Sequence, residues 1–421
     1  MATTKPLETG TIATTFAAFA IPNFRRFVVG QAVSLVGSWT ETVAEAVLVL
    51  QLTNSAVAVG FVTAMRYLPV LLLTPYAGVI VDRGNKRYLL MAAETCLALL
   101  SLTFGLLALV HAVTLWSIVL IALGFGVLTA VDNPARQAFI PEMVGKPLIR
   151  NAVTLNSTFV NVGRAVGPLV AAVLITTVGT AWCFLINAAS FIAVLYALAT
   201  MDVRTLYPVP PVQRDKGQLL QGFRYALTIP EIIGPVAMMA LIGTFTYEFE
   251  VSLPLFAHVS LAGADATYSW LIGAFGLGSV IGGLYCMWRP ETGMPRLVRA
   301  VALYAIAMLA TALAPTLPVA VALLVVVGLA SITFITTGNS TIQLASRPEY
   351  RGRVTGLWST AFVGSTPFGA LIIGFIDAYN PRVALLVGAL ACAVAALVGL
   401  RLGRSGGLVR GGGSSRTSVP D

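Results

Sequence analysis

Twelve transmembrane helices, packed as two pseudo-symmetric six-helix bundles in an all-α polytopic membrane protein, are the fold class that the sequence predicts. Three observations predict it. The chain of 421 residues is 57% hydrophobic and only 10% charged, with a mean hydropathy of +0.87; a soluble chain of this length needs roughly twice that charge to cover its surface. Apolar runs recur that reach the roughly 20 residues needed to cross a hydrocarbon core as helix, and they do not alternate as barrel strands would. One polar internal stretch, 202–230, divides these runs six and six.

Taken in order, residues 1–26 read as a cytoplasmic or interfacial segment. Its short apolar run, 11–22, is preceded by Lys5 and Glu8 and followed by Arg25 and Arg26, which suits an interfacial helix better than a cleavable signal. The first bundle, 27–201, holds spans at 27–52, 56–82, 88–110, 113–139, 151–178 and 180–201. The cytoplasmic linker, 202–230, carries YPVPPVQRDKG and is the least apolar internal segment. The second bundle, 231–402, holds spans at 231–257, 266–288, 296–315, 317–343, 354–378 and 382–402. Residues 403–421 end in a Gly/Ser-rich stretch that reads as a disordered cytoplasmic tail.

The halves repeat one another. Val36-Gly37-Ser38-Trp39-Thr40 in span 1 matches Ile242-Gly243-Thr244-Phe245-Thr246 in span 7. Leu155-Asn156-Ser157-Thr158 in span 5 matches Leu357-Trp358-Ser359-Thr360 in span 11, and the same register pairs Gly167 with Gly369. Internal repeats in membrane proteins place a substrate site between the halves.

The net charge of +9 does not point to nucleic acid, because of where it sits. Lys and Arg cluster at Arg25-Arg26, Arg83 to Arg87, Lys146 to Arg150, Arg204 to Arg224, Arg289 to Arg299, Arg347 to Arg353 and after Arg401, while the alternate loops contain only Arg382. Basic loops stay cytoplasmic, so both termini are expected inside a cell (plasma or inner) membrane, with the lipid bilayer as partner.

The loop after span 2 reads Gly78-Val-Ile-Val-Asp82-Arg83-Gly84-Asn85-Lys86-Arg87. Gly78 allows close packing, and Asp82 near a helix end can hold a neighbouring helix. Arg83 and Arg87 can reach Asp132 at the same depth in span 4, forming a cytoplasmic gate; a plain positive-inside anchor is the alternative. In span 5, Gly163 and Gly167 lie four apart on one helix face and permit tight approach, while Pro168 can bend the span.

These stretches resemble the major facilitator superfamily. The loop resembles its G-x-x-x-D-R-x-G-R-R signature, departing at Gly84-Asn85. The span-5 element is similar to the G-x-x-x-G-P element of the exporting, antiporter branch, departing at Ala171-Ala172. NFRRFVVGQAVSLVGSW and PEYRGRVTGL look like the 12-span drug/proton antiporter branch that includes enterobactin and macrolide exporters. The resemblance covers 22–402, although the loop after span 8 lacks an Asp-Arg pair. It implies alternating access, with the span-5 element restricting leak.

Two glutamates in span 1 stand out. Glu41 and Glu45 are one turn apart on one face, in a helix where a central carboxylate costs roughly 2.5 to 3.5 kcal/mol. Arg66 in span 2 falls at the depth of Glu41, so a Glu41–Arg66 pair is expected. Glu45 is then left without an obvious partner, which suits a group that takes up and releases protons. Glu248 lies near the symmetry counterpart of Glu45, and Glu250, two residues on, cannot share its helical face. Arg164 is a further counter-ion. A structural ion-pair set that only orders helices is the alternative.

Trp39, Tyr67, Phe245 and Tyr247 are candidates for an aromatic cavity wall. Cys96, Cys183, Cys286 and Cys392 fall in different spans and read as packing residues. His111 and His258 are far apart in short loops, and no phosphate-cradling Gly loop is present, so no metal, cofactor, nucleophile–base pair or ATP-driven chemistry is indicated. The expected function is export of a small amphipathic compound (drug, antibiotic or siderophore-like) by proton antiport, from a monomer that is not an enzyme. A proton-coupled uptake symporter is the nearest rival. A receptor or assembly factor on a transporter scaffold is a third reading.

Overall fold

Helix starts in this chain are written in local chemistry. Pro22, Pro230, Pro295 and Pro318 occupy the first turn of their helices, where the missing N–H leaves no intrahelical bond unmade. Ser55 caps its helix by accepting from the Ala58 amide, and Thr114 forms a capping box with Ser117. Asn85 accepts from the amides of Arg87 and Tyr88. The departure at Gly84-Asn85 therefore has a local reason: Gly84 ends one helix and Asn85 starts the next.

A computed structural model describes residues 17–207, 224–261, 263, 266–289, 291–347 and 350–411. It contains twelve helices long and apolar enough to cross a membrane among those residues. The first six are α1 (Pro22–Thr53), α2 (Ala56–Arg83), α3 (Lys86–Leu109), α4 (Leu115–Val144), α5 (Ile149–Thr177) and α6 (Thr180–Ala199). In the second bundle, α7 is broken into α7a (Pro230–Phe245) and α7b (Phe249–Leu255), followed by a π-turn over Phe256–Ser260. Then come α8 (Ala266–Trp288), α9 (Met294–Ala312), α10 (Leu317–Ala345), α11a (Arg351–Val363), α11b (Thr366–Tyr379) and α12 (Pro381–Gly411). Pro367 lacks the amide that would bond the Val363 carbonyl, which accounts for the interruption of α11.

The chain departs from the sequence reading at its ends and linker. Helix α12 continues to Gly411, past the expected end of the span at 402. Residues 412–421, 1–16 and 208–223 lie outside the described residues, so most of the expected interfacial segment, linker and tail does too.

Missing side chains let helices approach within each bundle. A Cβ on Gly167 would meet the Val36 carbonyl and Trp39, and one on Gly163 would meet Leu35, so α5 seats directly on α1. The repeat carries the same device: Gly369 of α11b faces the Thr244 carbonyl of α7a. Thr40 Oγ1 donates to the Gly167 carbonyl at 3.0 Å, and its counterpart Thr246 donates to the Gly388 carbonyl at 3.0 Å.

The loops rich in Lys and Arg gather on one face, called here the basic face. There Lys86 pairs with Glu142 at 2.8 Å, and Arg87 donates to the Leu198 and Ala199 carbonyls at 2.7 and 3.0 Å. Arg87 thus satisfies the open C-terminus of α6. Between the bundles, close backbone approaches lie in the half remote from the basic face. Gly60 of α2 meets the Ala370 carbonyl of α11b, Gly374 meets the Ala56 carbonyl, and Gly276 of α8 meets Ala165 of α5. Nearer the basic face, Tyr76, Ile80, Ser359 and Thr360 of α2 and α11a are exposed. The bundles close on each other at the far face.

Candidate functional site at the seam between the bundles

Helix α1 reaches the seam with both glutamates buried, but they answer to different neighbours. Glu41 points into the first bundle, where Ser101 of α3 and Asn187 of α6 donate to its Oε2. Asn187 also donates to Ser101 at 3.1 Å, closing a small polar knot. Glu45 takes the Arg66 ion pair. The expected Glu41–Arg66 pair is therefore corrected to Glu45–Arg66. Depth alone suggested the former; the rotation of α1, which turns Glu41 toward α3 and α6, decides for the latter.

Arg66 is braced on its own bundle. Its guanidinium stands 4.8 Å from the centre of the Phe125 ring of α4, and Gly126 leaves room for the Arg66 carbonyl. Cation–π contact of this kind holds a guanidinium in a dry place without neutralising it. Across the seam, Glu250 of α7b lines the same narrow cavity as Glu45, Arg66 and Thr63. Tyr67, the next residue of α2, hydrogen-bonds Glu250. Glu248 sits at the break in α7, buried, with one oxygen lacking a partner and facing Gly369. So Glu250, and not the symmetry-suggested Glu248, meets the Glu45–Arg66 pair. The pair of glutamates was visible in sequence; the break that turns one of them toward α2 was not.

Arg164 of α5 lies 5.0 Å from the centre of the Trp39 ring, and its buried Nε has no hydrogen-bond partner. Its charge acts on Glu250 and on both Tyr67 and Tyr247. Of the four aromatic residues, Trp39 and Tyr67 are at this central place. Phe245 packs against the small cluster of Ala64, Val251, Ala370, Ile373 and Ala384 that joins the bundles. Tyr247 is turned into the second bundle, hydrogen-bonded to Ser331 and ringed by Phe249, Tyr304 and Phe362 at 6.2, 6.2 and 5.0 Å between centroids.

The expected basic-face gate is rearranged. Asp132 is taken by Arg136, one turn along α4, and Arg136 also reaches Glu94 of α3 at 2.8 Å. Neither Arg83, which is exposed, nor Arg87, which holds the end of α6, takes Asp132. Gly78 is buried in α2, and the Asp82 side chain lies outside the described residues. Sequence reading missed Glu94 and Arg136; the signal available was a lone carboxylate and a lone guanidinium in adjacent apolar spans. It also missed Asp377, buried at 1% exposure in α11b.

Among the described residues no group of three or more His, Cys, Asp or Glu could hold a metal ion, and the four cysteines are free.

The comparisons with known proteins agree with this architecture. The enterobactin exporter of Salmonella paratyphi A is 27% identical over 372 residues, covering 86% of this chain and 87% of the relative. That of Escherichia coli O1:K1 is 28% identical over 372 residues, again covering 86% and 87%. Among solved structures, a bacterial homologue of the human lysosomal transporter Spinster, inward-facing and unoccupied, superposes with a TM-score of 0.72 at 14% identity, covering 94% of this chain and 98% of that one. The nucleoside transporter NupG superposes with a TM-score of 0.68 at 12% identity, over 90% and 98%. The sequence profile of the transmembrane secretion effectors matches residues 13–405. With a match that spans nearly all of both bundles, the chain belongs to the transmembrane secretion effector family of the major facilitator superfamily, and is a multi-pass membrane transporter, not an enzyme.

Proposed function

We propose that the protein exports a small amphipathic compound by alternating access, in exchange for protons, with both termini on the cytoplasmic side. Export follows the family description and the enterobactin exporters among its relatives. Cytoplasmic termini follow the basic loops. One observation carries the proton coupling: three carboxyl groups, Glu45, Glu248 and Glu250, lie buried or half-buried at the seam with two guanidinium groups, Arg66 and Arg164. A set of this kind in low dielectric keeps one carboxyl without a counter-charge. A proton neutralises it, and opening the seam changes which side supplies that proton.

Closure at the far face and parting toward the basic face suit a state that receives substrate from the cytoplasm. The span-5 glycines fix α5 against α1, and it is the resemblance of their element to the G-x-x-x-G-P element of the exporting branch that favours export over uptake. The test uses inside-out vesicles with an acidic lumen and labelled enterobactin, beside a panel of amphipathic drugs. Accumulation of at least one compound, abolished when nigericin dissipates the pH gradient, is expected. Accumulation only in right-side-out vesicles would instead mean uptake, and gradient-independent accumulation would remove proton coupling.

A further inference from the structure

Helix α1 runs unbroken from Pro22 to Thr53, but its counterpart in the second bundle does not stay regular toward the far face. In the repeat register that pairs Thr40 with Thr246, Pro254 and His258 stand where α1 has Leu48 and Leu52. Pro254 lacks the amide that would bond the Glu250 carbonyl. The π-turn over Phe256–Ser260 follows, with the Leu261 amide donating to the Phe256 carbonyl at 3.2 Å. Turns of this kind are rare and gather at functional sites. This one forms part of the wall of a cavity of about 250 Å³ at the far face. From the second bundle come Pro254, Ala257 and His258, with Tyr268 of α8; α1 of the first bundle supplies Val47, Leu50, Gln51 and Asn54.

The lining selects a chemistry. Val47, Leu50, Pro254 and Ala257 offer water no side-chain partner, so an apolar body displaces it there at little cost. Hydrogen-bonding groups are supplied by Gln51, Asn54 and His258, which are exposed, and by the buried Tyr268. No Asp, Glu, Lys or Arg is among the lining residues, so a charged ligand would lose water without meeting a counter-charge. The volume falls below the roughly 300 Å³ at which pockets for drug-sized ligands begin. We propose that this cavity is an inhibitory site, reached from the far face, for an uncharged single-ring compound bearing hydroxyl or amide groups. The inference rests on the alternating-access reading. Opening the far face parts α1 from α7b and α8, which dismantles the cavity. An occupant that touches both walls therefore binds only while that face is closed, and by mass action holds it closed.

The test uses full-length protein in nanodiscs with 4-hydroxybenzamide as the probe, at about 10 mM. That is roughly ten times the millimolar dissociation constant expected for a ligand of this size. Spin labels are placed by His111→Cys and Pro315→Cys, on far-face loops of the two bundles, with Cys96→Ser removing the exposed native thiol. The ratio of short to long distances is expected to rise about tenfold with the probe. Benzyltrimethylammonium, which carries a permanent charge on a similar ring, is expected to leave it unchanged. Ala257→Trp fills the cavity and should abolish both the shift and the binding of 4-hydroxybenzamide seen by saturation-transfer NMR; Leu50→Trp serves should that variant not assemble. Absence of binding to the unsubstituted cavity would overturn the site, as would an equal response to the cation or a shift that survives the tryptophan. A distance distribution fixed under every condition, enterobactin included, would sink alternating access instead, and the NMR comparison would still decide whether the cavity takes the ring.

Discussion

Glu45 and Glu41 show what a sequence can and cannot say about a single residue. Their cost in an apolar span was plain from the sequence, and so was the presence of Arg66 at matching depth. Which glutamate meets the arginine depends on helix rotation, and one turn of α1 separates two different fates. The pairing predicts a specific coupling. Arg66→Gln strands a buried carboxylate and should lower thermal stability in detergent by about 3 to 5 kcal/mol, and combining it with Glu45→Gln should recover part of that loss. Combining Arg66→Gln with Glu41→Gln should recover none. A double-mutant cycle by thermal unfolding reads this directly, and rescue through Glu41 would reverse the assignment. Asn187→Leu, by contrast, removes a donor to Glu41 and should destabilise the first bundle without touching the seam.

Elements were legible where their cause is local and obscure where it is tertiary. Span positions follow from apolar length, and the caps at Ser55, Asn85 and Thr114 from residue type. The break in α7, which aims Glu250 at α2, has no such local signature, since Pro254 lies beyond it. The glycines divide by what faces them. Gly328 of α10 meets the Phe275 carbonyl of α8 inside one bundle, whereas Gly60 meets Ala370 across the seam. Gly328→Val should therefore cost thermal stability and leave the conformational balance alone. Gly60→Val should do the opposite, wedging the far face open. Spin labels at Asn54 and His258 would show it as a longer distance population in Gly60→Val, and an unchanged distribution would refute the wedge.

At the scale of the molecule, composition and the repeat made the two-bundle fold readable, because a bilayer leaves few ways to satisfy a helical backbone. The meeting of charges from four helices and both bundles was not readable, because no sequence spacing links Glu45, Arg66, Arg164 and Glu250. The orientation proposed from the basic loops is checked by reporter fusions: those after Lys86 should report cytoplasm and those at His111 and Pro315 the outside, and one reversal would break the twelve-span topology. The central claim is that the seam carboxyls couple protons to export. Its most direct measurement compares wild type with Glu45→Gln in proteoliposomes, reading both accumulation driven by a pH gradient and exchange of labelled for unlabelled substrate. Exchange needs no net proton movement. The account predicts that Glu45→Gln loses accumulation and keeps exchange, whereas a variant that accumulates substrate as wild type does would contradict it.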